Sequence, residues 1–106
     1  MILVTTDTVP GHEIEQVLGL VRGNSVKAKF FVKDIMAGLR NIVGGEVNEY
    51  TELMKEAREA AMSRMINDAT RLNADAIVAI RFSTSQIMES AAELFVYGTA
   101  VRLKRD

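Results

Sequence analysis

Hydrophobic residues near the N-terminus alternate with polar ones at a period of two, which is typical of β-strands. A short apolar run at residues 1–6 predicts a first strand, and the turn-forming residues 7–11 end it. A second strand is predicted over residues 12–23, with Gly19 marking a β-bulge or a close backbone approach. One face of this strand is apolar through its middle and should contact the core. That face consists of Ile14, Gln16, Leu18, Leu20 and Arg22.

From Val26 the hydrophobic residues recur every three or four positions, which predicts an amphipathic α-helix over residues 26–43. Asn24 or Ser25 can cap its start, because a short side-chain oxygen can accept an unpaired backbone N–H there. The two glycines at 44–45 should end it, since the residue after a helix favours a left-handed conformation. The apolar stripe of this helix consists of Ala28, Phe31, Val32, Ile35, Met36, Leu39, Ile42 and Val43.

A second helix is predicted directly afterwards, over residues 48–72. Three alanines in its middle, at positions 57, 60 and 61, make it thin enough for another element to approach closely. Its outer face is charged, with pairs such as Arg64 and Asp68 at a spacing of four. The apolar stripe consists of Tyr50, Leu53, Met54, Ala57, Ala61, Met65, Ile66, Ala69 and Leu72.

The period returns to two after residue 75 and predicts strands over 77–84 and 94–103. The element order is therefore ββααββ, within a single domain spanning residues 1–106. Two consecutive helices between pairs of strands indicate an α+β fold, with an antiparallel or mixed sheet covered on one face and packed against the long helix. Strict βαβ alternation, which the doubly wound dinucleotide fold requires, is absent from this pattern.

Composition and charge exclude several classes of function. The 106 residues include 13 basic and 14 acidic side chains, for a net charge of −1, and no cysteine. Disulfides, thiolate metal sites and cysteine nucleophiles are therefore excluded. A nearly neutral chain argues against nucleic-acid binding and against attachment to an anionic membrane, both of which favour a basic excess. Without a signal-like or membrane-length apolar segment, we expect a soluble cytoplasmic protein.

Metal binding is the first chemical hypothesis. His12, Glu13 and Glu15 lie together in sequence, and imidazole and carboxylate groups are ligands for Zn²⁺ and similar divalent ions. A single histidine supplies too few ligands for an ordinary transition-metal site. The site would therefore need more carboxylates or copies of His12 from several subunits. The alternative interpretation is a solvated strand edge protected by acidic residues.

An anion site is the second hypothesis, placed at Arg22-Gly23-Asn24-Ser25, where a glycine turn would enter a helix. Helix N-termini offer free N–H groups to anions, although no phosphate-binding glycine motif is present. The alternative is that Gly23 supplies only the turn and Ser25 only the cap.

Arg58 lies beside the apolar stripe of the second helix and could pair with a carboxylate or line a ligand pocket. Catalysis has little support, because no nucleophile elbow or metalloprotease motif occurs and His12 is the single imidazole. We therefore expect a protein without catalytic activity. A hydrolase or isomerase that uses a cluster of carboxylates is the open alternative.

Several segments together make the chain similar to the YbjQ-type family of small bacterial and archaeal proteins. They are residues 17–23, 33–46, 50, 57–58, 74–78 and 97–101. The resemblance covers nearly the whole chain. It implies a subunit of dodecin-like topology that assembles into a homopentameric ring, and it brings a heavy-metal-binding label. Lys33 and Asn73 stand where relatives often have Arg and Gly, and the family supplies no catalytic residues.

Physical arguments apart from the resemblance also favour a ring. A small chain with a thin helix and unpaired strand edges can complete its sheet and core through cyclic assembly. The chain's expected partner is therefore itself. We expect a small ligand or ion, a divalent metal ion among the candidates, to bind where subunits meet. The predicted ligand residues are Arg22, Asp34, Arg40, Tyr50 and Arg58.

Overall fold

The computed structural model describes residues 1–27, 48–88 and 91–105. Within these ranges the chain forms four strands and one helix. Their bounds are β1 Ile2–Leu3, β2 Ile14–Lys27, α1 Asn48–Arg71, β3 Ala76–Met88 and β4 Ala91–Leu103. The long helix ends one residue before its predicted end. The helix predicted over 26–43 lies outside the described residues, apart from its first two positions.

The four strands form one mixed sheet in the order β1-β3-β4-β2. β1 runs parallel to β3, whereas β4 is antiparallel to both β3 and β2. α1 packs on one face of this sheet, against β2 and β4. The predicted α+β class, with a mixed sheet packed against a long helix, is therefore confirmed.

β2 continues through residues that the sequence pattern assigns to the start of a helix. Asn24, Ser25 and Val26 all pair with residues of β4. The predicted helix cap at Asn24 or Ser25 is therefore wrong, and so is the helix start at Val26. The reason is that the partner strand lies about seventy residues further along the chain, where local periodicity cannot detect it.

A β-bulge in β2 changes which of its residues face the core. The register against β4 shifts between Val17 and Gly19, and Gly19 has a φ of 135°. The predicted bulge is confirmed, but the predicted core face is wrong beyond it. Leu20 is 66% exposed, whereas Val21 is fully buried. One extra residue in a strand reverses the alternation of its side chains.

The main core lies between α1 and the sheet. Within the predicted helix stripe, Ala57, Ala61, Met65 and Ala69 are buried as expected, whereas Leu72 is exposed in the turn that follows α1. Because the helix residues are mostly small, the helix backbone lies close to β2. The buried cluster between helix and sheet consists of Val21, Ala61, Met65, Ala69, Ile77, Ile80, Val96 and Ala100.

The other face of the sheet carries a second buried cluster. It consists of Val9, Ala76, Val78, Val101 and Leu103, with Val4 and Ile14 packed against them. The N-terminal segment thus covers part of the face that the sequence pattern leaves open. Both faces of β3 are consequently buried at its start, because Ile77 contacts the helix side and Val78 contacts the N-terminal side.

The turn after α1 explains an unusual residue in the sequence. Asn73 has a φ of 59°, in the left-handed region that follows many helices. Glycine suits this region best, and asparagine is among the few other residues that tolerate it. Asp75 then fixes the turn to the end of β4, since its carboxylate accepts the backbone N–H of Leu103 at 2.9 Å and pairs with Arg105 at 2.8 Å.

Ala79 should become more favourable as glycine. It has a φ of 55° at the irregularity between Val78 and Arg81, a conformation that costs an L-residue about 1–2 kcal/mol. We expect Ala79→Gly to raise the free energy of unfolding by about 0.5–1 kcal/mol, measured by urea denaturation at fixed protein concentration. Ala100→Gly, at a buried strand position with no positive φ, should lower it. Destabilisation by both variants would contradict the strain assigned to Ala79.

Large hydrophobic side chains remain exposed on the outer part of the sheet. Val17 is 64% exposed, and Leu20 and Tyr97 are exposed on the same face, away from α1, whereas Phe82 is exposed on the face that carries α1. None of the described residues forms a helix with the length and hydropathy needed to cross a membrane. Val17, Leu20 and Tyr97 therefore form an apolar surface on the face of the sheet away from α1.

Candidate functional site

A polar cavity of about 590 Å³ lies between the second half of α1 and the outer edge of β2. β2 is the last strand of the described sheet, so its outer edge pairs with no other described strand. The polar side chains that line the cavity are Arg22, Asn24, Arg64, Asn67, Asp68 and Arg71. The backbone of Gly23 and the ring of Phe95 complete the walls.

The cavity combines residues on one face of α1 with residues at the edge of β2. Arg64, Asn67 and Arg71 are spaced three and four residues apart, which places them on one face of α1. Arg22 and Asn24 are two apart in β2, on the face opposite to Val21 and Gly23, and they line the cavity at the outer edge of the strand. The helix face and the strand edge meet at the cavity because Gly23 allows a close approach.

Gly23 has no room for a side chain. A Cβ atom built there would overlap the carbonyl oxygen of Ala61 and lie 2.7 Å from the backbone nitrogen of Met65. The helix backbone therefore lies directly against the strand at this point. This contact sets the distance between the arginines of α1 and Arg22 of β2.

Hydrogen bonds tie the two sides of the cavity together. The guanidinium of Arg64 donates to the backbone oxygen of Asn24. The Asn24 amide donates in turn to the carboxylate of Glu93, at 3.0 Å. Asp68 lies 3.8 Å from Arg71, so the ion pair that forms is not the predicted one between Asp68 and Arg64.

Positive charge is concentrated in this cavity although the whole chain has a net charge of −1. Three arginines and one aspartate are among the residues that line it, and the carboxylate of Glu93 accepts a hydrogen bond from Asn24. Guanidinium groups present paired N–H donors that match the oxygens of carboxylates and phosphates. The cavity is therefore suited to anions, and two asparagine amides supply further donors.

Arg22 of the predicted anion site lines this cavity, but the turn and helix start predicted around it are wrong. Arg22-Gly23-Asn24-Ser25 is part of β2 rather than a turn before a helix. Arg64, Asn67 and Arg71 were not predicted, because they match the charged outer face of a helix. Only the position of β2 beside α1 turns that outer face into the wall of a site.

Among the other predicted ligand residues, only Arg58 has a described side chain, and it does not line the cavity with Arg22. Arg58 is exposed and lines a separate cavity of about 520 Å³ with Glu59, Met62, Ser63 and Phe82. Tyr50 belongs to α1, but its side chain is not among those described. Asp34 and Arg40 lie outside the described residues. The predicted set therefore stays a prediction.

The residues of the metal hypothesis lie on the surface around the start of β2. His12, Glu13 and Glu15 are exposed, and Glu13 lies 3.7 Å from Lys104 in an ion pair. The backbone N–H of His12 donates to Val9. In the part of the chain that the structure describes, no three histidine, aspartate or glutamate side chains come together as metal ligands. A site built from several subunits stays a prediction.

Comparison with known proteins gives consistent results along the whole chain. The model of the YbjQ family, described as "putative heavy-metal-binding", matches residues 1–104. A UPF0145 protein of Archaeoglobus fulgidus is 58% identical over 104 residues, covering 98% of this chain and 96% of the relative. A UPF0145 protein of Thermus thermophilus is 53% identical over 104 residues, covering 97% and 91%.

A solved structure supports the fold. The crystal structure of a protein of unknown function from Pediococcus pentosaceus, assigned to the DUF74 family, is similar with a TM-score of 0.64. That likeness covers 98% of both chains at 15% sequence identity, so it bears on the fold alone. The match of the family model over nearly all residues and the high identity of the relatives together give the classification. The chain belongs to the YbjQ family, whose curated relatives bear the name UPF0145 protein.

Proposed function

We propose that the protein is a non-enzymatic subunit of a homopentameric, dodecin-like ring that binds a small ligand or ion where subunits meet. The observation that carries this proposal is the apolar surface on the outer part of the sheet. Leu20 pairs with Thr99 across β2 and β4, and Tyr97 lies next to it on the same face. Burying one large hydrophobic side chain contributes about 1.5–3 kcal/mol, so contact between copies through this face would be favourable.

The edges of the sheet support a ring rather than a two-fold dimer. Among the described residues, β2 has one strand neighbour, and β1 pairs with β3 at Ala76 and Ile77. In the described part of the chain, β3 beyond Ile80 has β4 on one side and no strand on the other. Two different open edges on opposite sides of a sheet favour head-to-tail contact, and such contacts form a ring when the rotation between neighbours closes.

The predicted ligand residues fit a site shared between copies. Arg22 and Arg58 line different cavities of one chain, so a single chain does not bring them to one ligand. Contact between neighbouring subunits can bring such separate positions together. Asp34, Arg40 and Tyr50 remain part of the proposed set.

Light scattering on the purified protein tests the assembly. We expect a mass of five times 11.7 kDa, or about 58 kDa, that persists on dilution. A mass of 11.7 kDa at all concentrations would contradict the proposal.

A charge placed on the apolar surface tests which face makes the contact. Leu20→Glu should lower the scattering mass to that of a single chain, because a carboxylate cannot be buried unpaired in an apolar interface. Leu72→Glu is the matched control, since Leu72 is also exposed but lies in the turn after α1. An unchanged mass for Leu20→Glu would rule out the face that carries Leu20.

Heavy-metal binding is a second candidate, favoured by the description of the matching family model. The described residues of one chain do not fit such a site, because soft metals favour thiolates and the chain has no cysteine. A site would require His12, Glu13 and Glu15 from several subunits around the ring.

Native mass spectrometry with Zn²⁺, Cu²⁺ and Ni²⁺ tests the metal candidate. We expect His12→Ala to lose the uptake of metal that the unmodified protein shows. Glu56→Ala, which removes an exposed carboxylate from α1, is the control and should retain it. Equal uptake by His12→Ala and the unmodified protein would remove this site.

A further inference from the structure

We propose that the cavity between α1 and β2 binds a small organic phosphate monoester. This inference goes beyond the proposed function, because the cavity is lined by residues of one chain and does not require contact between subunits. Its central observation is the meeting of Arg22 from a strand with Arg64 and Arg71 from a helix in one cavity.

The charge of the cavity favours a dianion. Three guanidinium groups and the carboxylate of Asp68 leave two positive charges on its lining. A phosphate monoester carries close to two negative charges at neutral pH, whereas a carboxylate ligand carries one. Glu93 lies outside the lining and is held by the amide of Asn24 at 3.0 Å. A dianion therefore balances the cavity, and a monoanion leaves a positive charge uncompensated.

The donors match the three oxygens of a phosphoryl group. Arginine pairs with phosphate through two parallel N–H···O bonds, and arginines from two directions can engage different oxygens. Arg64 already donates one N–H group to the backbone oxygen of Asn24. Its remaining N–H groups add to the donors of Arg22 and Arg71. The amide of Asn67 supplies a neutral donor on the same helix face.

The end of α1 would oppose an anion if it acted alone. The last turn of a helix carries partial negative charge on its free carbonyl groups. Arg71 is the last residue of α1 and places a cation at this point. The cavity is therefore cationic through its side chains rather than through backbone N–H groups.

The size and remaining wall of the cavity indicate an organic group beside the phosphate. Its volume of about 590 Å³ lies within the range of small-molecule sites and exceeds what an inorganic phosphate fills. The ring of Phe95, which lies 5.6 Å from that of Tyr97, provides the apolar wall. A flat or cyclic organic group can pack against this ring while the phosphate engages the arginines.

Isothermal titration with three probes tests the inference. We expect phenyl phosphate to bind more tightly than inorganic phosphate, because its ring can contact Phe95. Benzoate has the same ring and one negative charge, and it should bind at least tenfold more weakly than phenyl phosphate. Tighter binding of benzoate, or no saturable binding of either phosphate at millimolar concentration, would overturn the inference.

Substitutions identify the residues that hold the phosphate. Arg22→Gln and Arg71→Gln should each weaken phenyl phosphate binding about ten- to hundredfold, the usual effect of losing a charged hydrogen bond. Arg22→Lys, which keeps the charge but loses the paired donors, should fall between Arg22→Gln and the unmodified protein. Lys55→Gln is the matched control, because it removes one exposed positive charge from α1 at a position outside the cavity lining. Equal weakening by Lys55→Gln and Arg22→Gln would show general charge attraction and overturn the site.

Light scattering on the same samples separates this inference from the ring on which the proposed function rests. Phosphate binding that depends on Arg22 in a monomeric protein would refute the ring and support the cavity. A stable ring without phosphate binding would refute the cavity and leave the assembly supported. Thermal unfolding of Arg22→Gln shows whether the fold is intact, and Arg71→Gln provides a second variant on another element.

Discussion

Replacing Gly23 with alanine should destabilise the protein by about 3 kcal/mol or more, at the upper end of the usual cost of overpacking a core. The added methyl group would overlap the backbone oxygen of Ala61 and crowd the backbone nitrogen of Met65. Backbone atoms inside a helix cannot rotate away as a side chain can, so α1 would have to move from β2. Urea denaturation followed by circular dichroism, at fixed protein concentration, measures the loss.

Gly98→Ala is the matched control for this prediction. Gly98 is also buried in the sheet, but its nearest neighbour would be a side-chain methyl carbon of Ile77, at 2.7 Å. A side chain can adjust by rotation, so we expect a loss of about 1 kcal/mol. If Gly23→Ala costs no more than Gly98→Ala, the helix does not lie against β2 as described.

The sequence pattern predicted the elements whose structure depends on local periodicity. The long helix is present at Asn48–Arg71, and the buried part of its stripe is the alanine and methionine series that the spacing indicated. The last strand alternates as predicted, with Val96 and Ala100 facing the helix and Val101 facing the N-terminal segment. In these elements each residue's environment follows from the spacing of its neighbours in sequence.

Predictions failed where a distant partner or a bulge changes the local pattern. Asn24 and Ser25 have the side chains of helix caps, yet their backbone groups pair with β4. Leu20 follows the predicted core face by alternation, yet the irregularity at Gly19 turns it outward. A glycine inside a strand can indicate a bulge. Which side chains face the core beyond that bulge is known only from the pairing register with the neighbouring strand.

Local sequence patterns also failed to predict most residues of the candidate site. Arg22 was noticed because it precedes a glycine, whereas Arg64 and Arg71 match an ordinary solvated helix face. Their shared cavity depends on the path of β2 beside α1, which a local pattern does not contain. The small residues of α1 were the available signal, because they predicted that another element would approach closely.

Met65 should be the side chain of α1 whose truncation costs most. It is fully buried and packs in the cluster between helix and sheet. We expect Met65→Ala to lower the free energy of unfolding by about 2–5 kcal/mol, because the lost contacts leave a cavity that the sheet cannot fill. For a domain of this size each kcal/mol corresponds to about 4–8 °C, so calorimetry should show a fall in melting temperature of at least about 8 °C.

Met62→Ala provides the comparison for Met65→Ala, because it removes the same atoms from the same helix three residues away. Met62 is only partly buried and lines the cavity beside Phe82, so solvent can occupy the space that its side chain leaves. A loss of about 1 kcal/mol is therefore expected. Residues three apart on a helix point in directions that differ by about 60°. Equal losses would therefore mean that the sheet-facing side of α1 lies midway between Met62 and Met65. A larger loss at Met65 supports the orientation that points Arg64 and Arg71 toward β2.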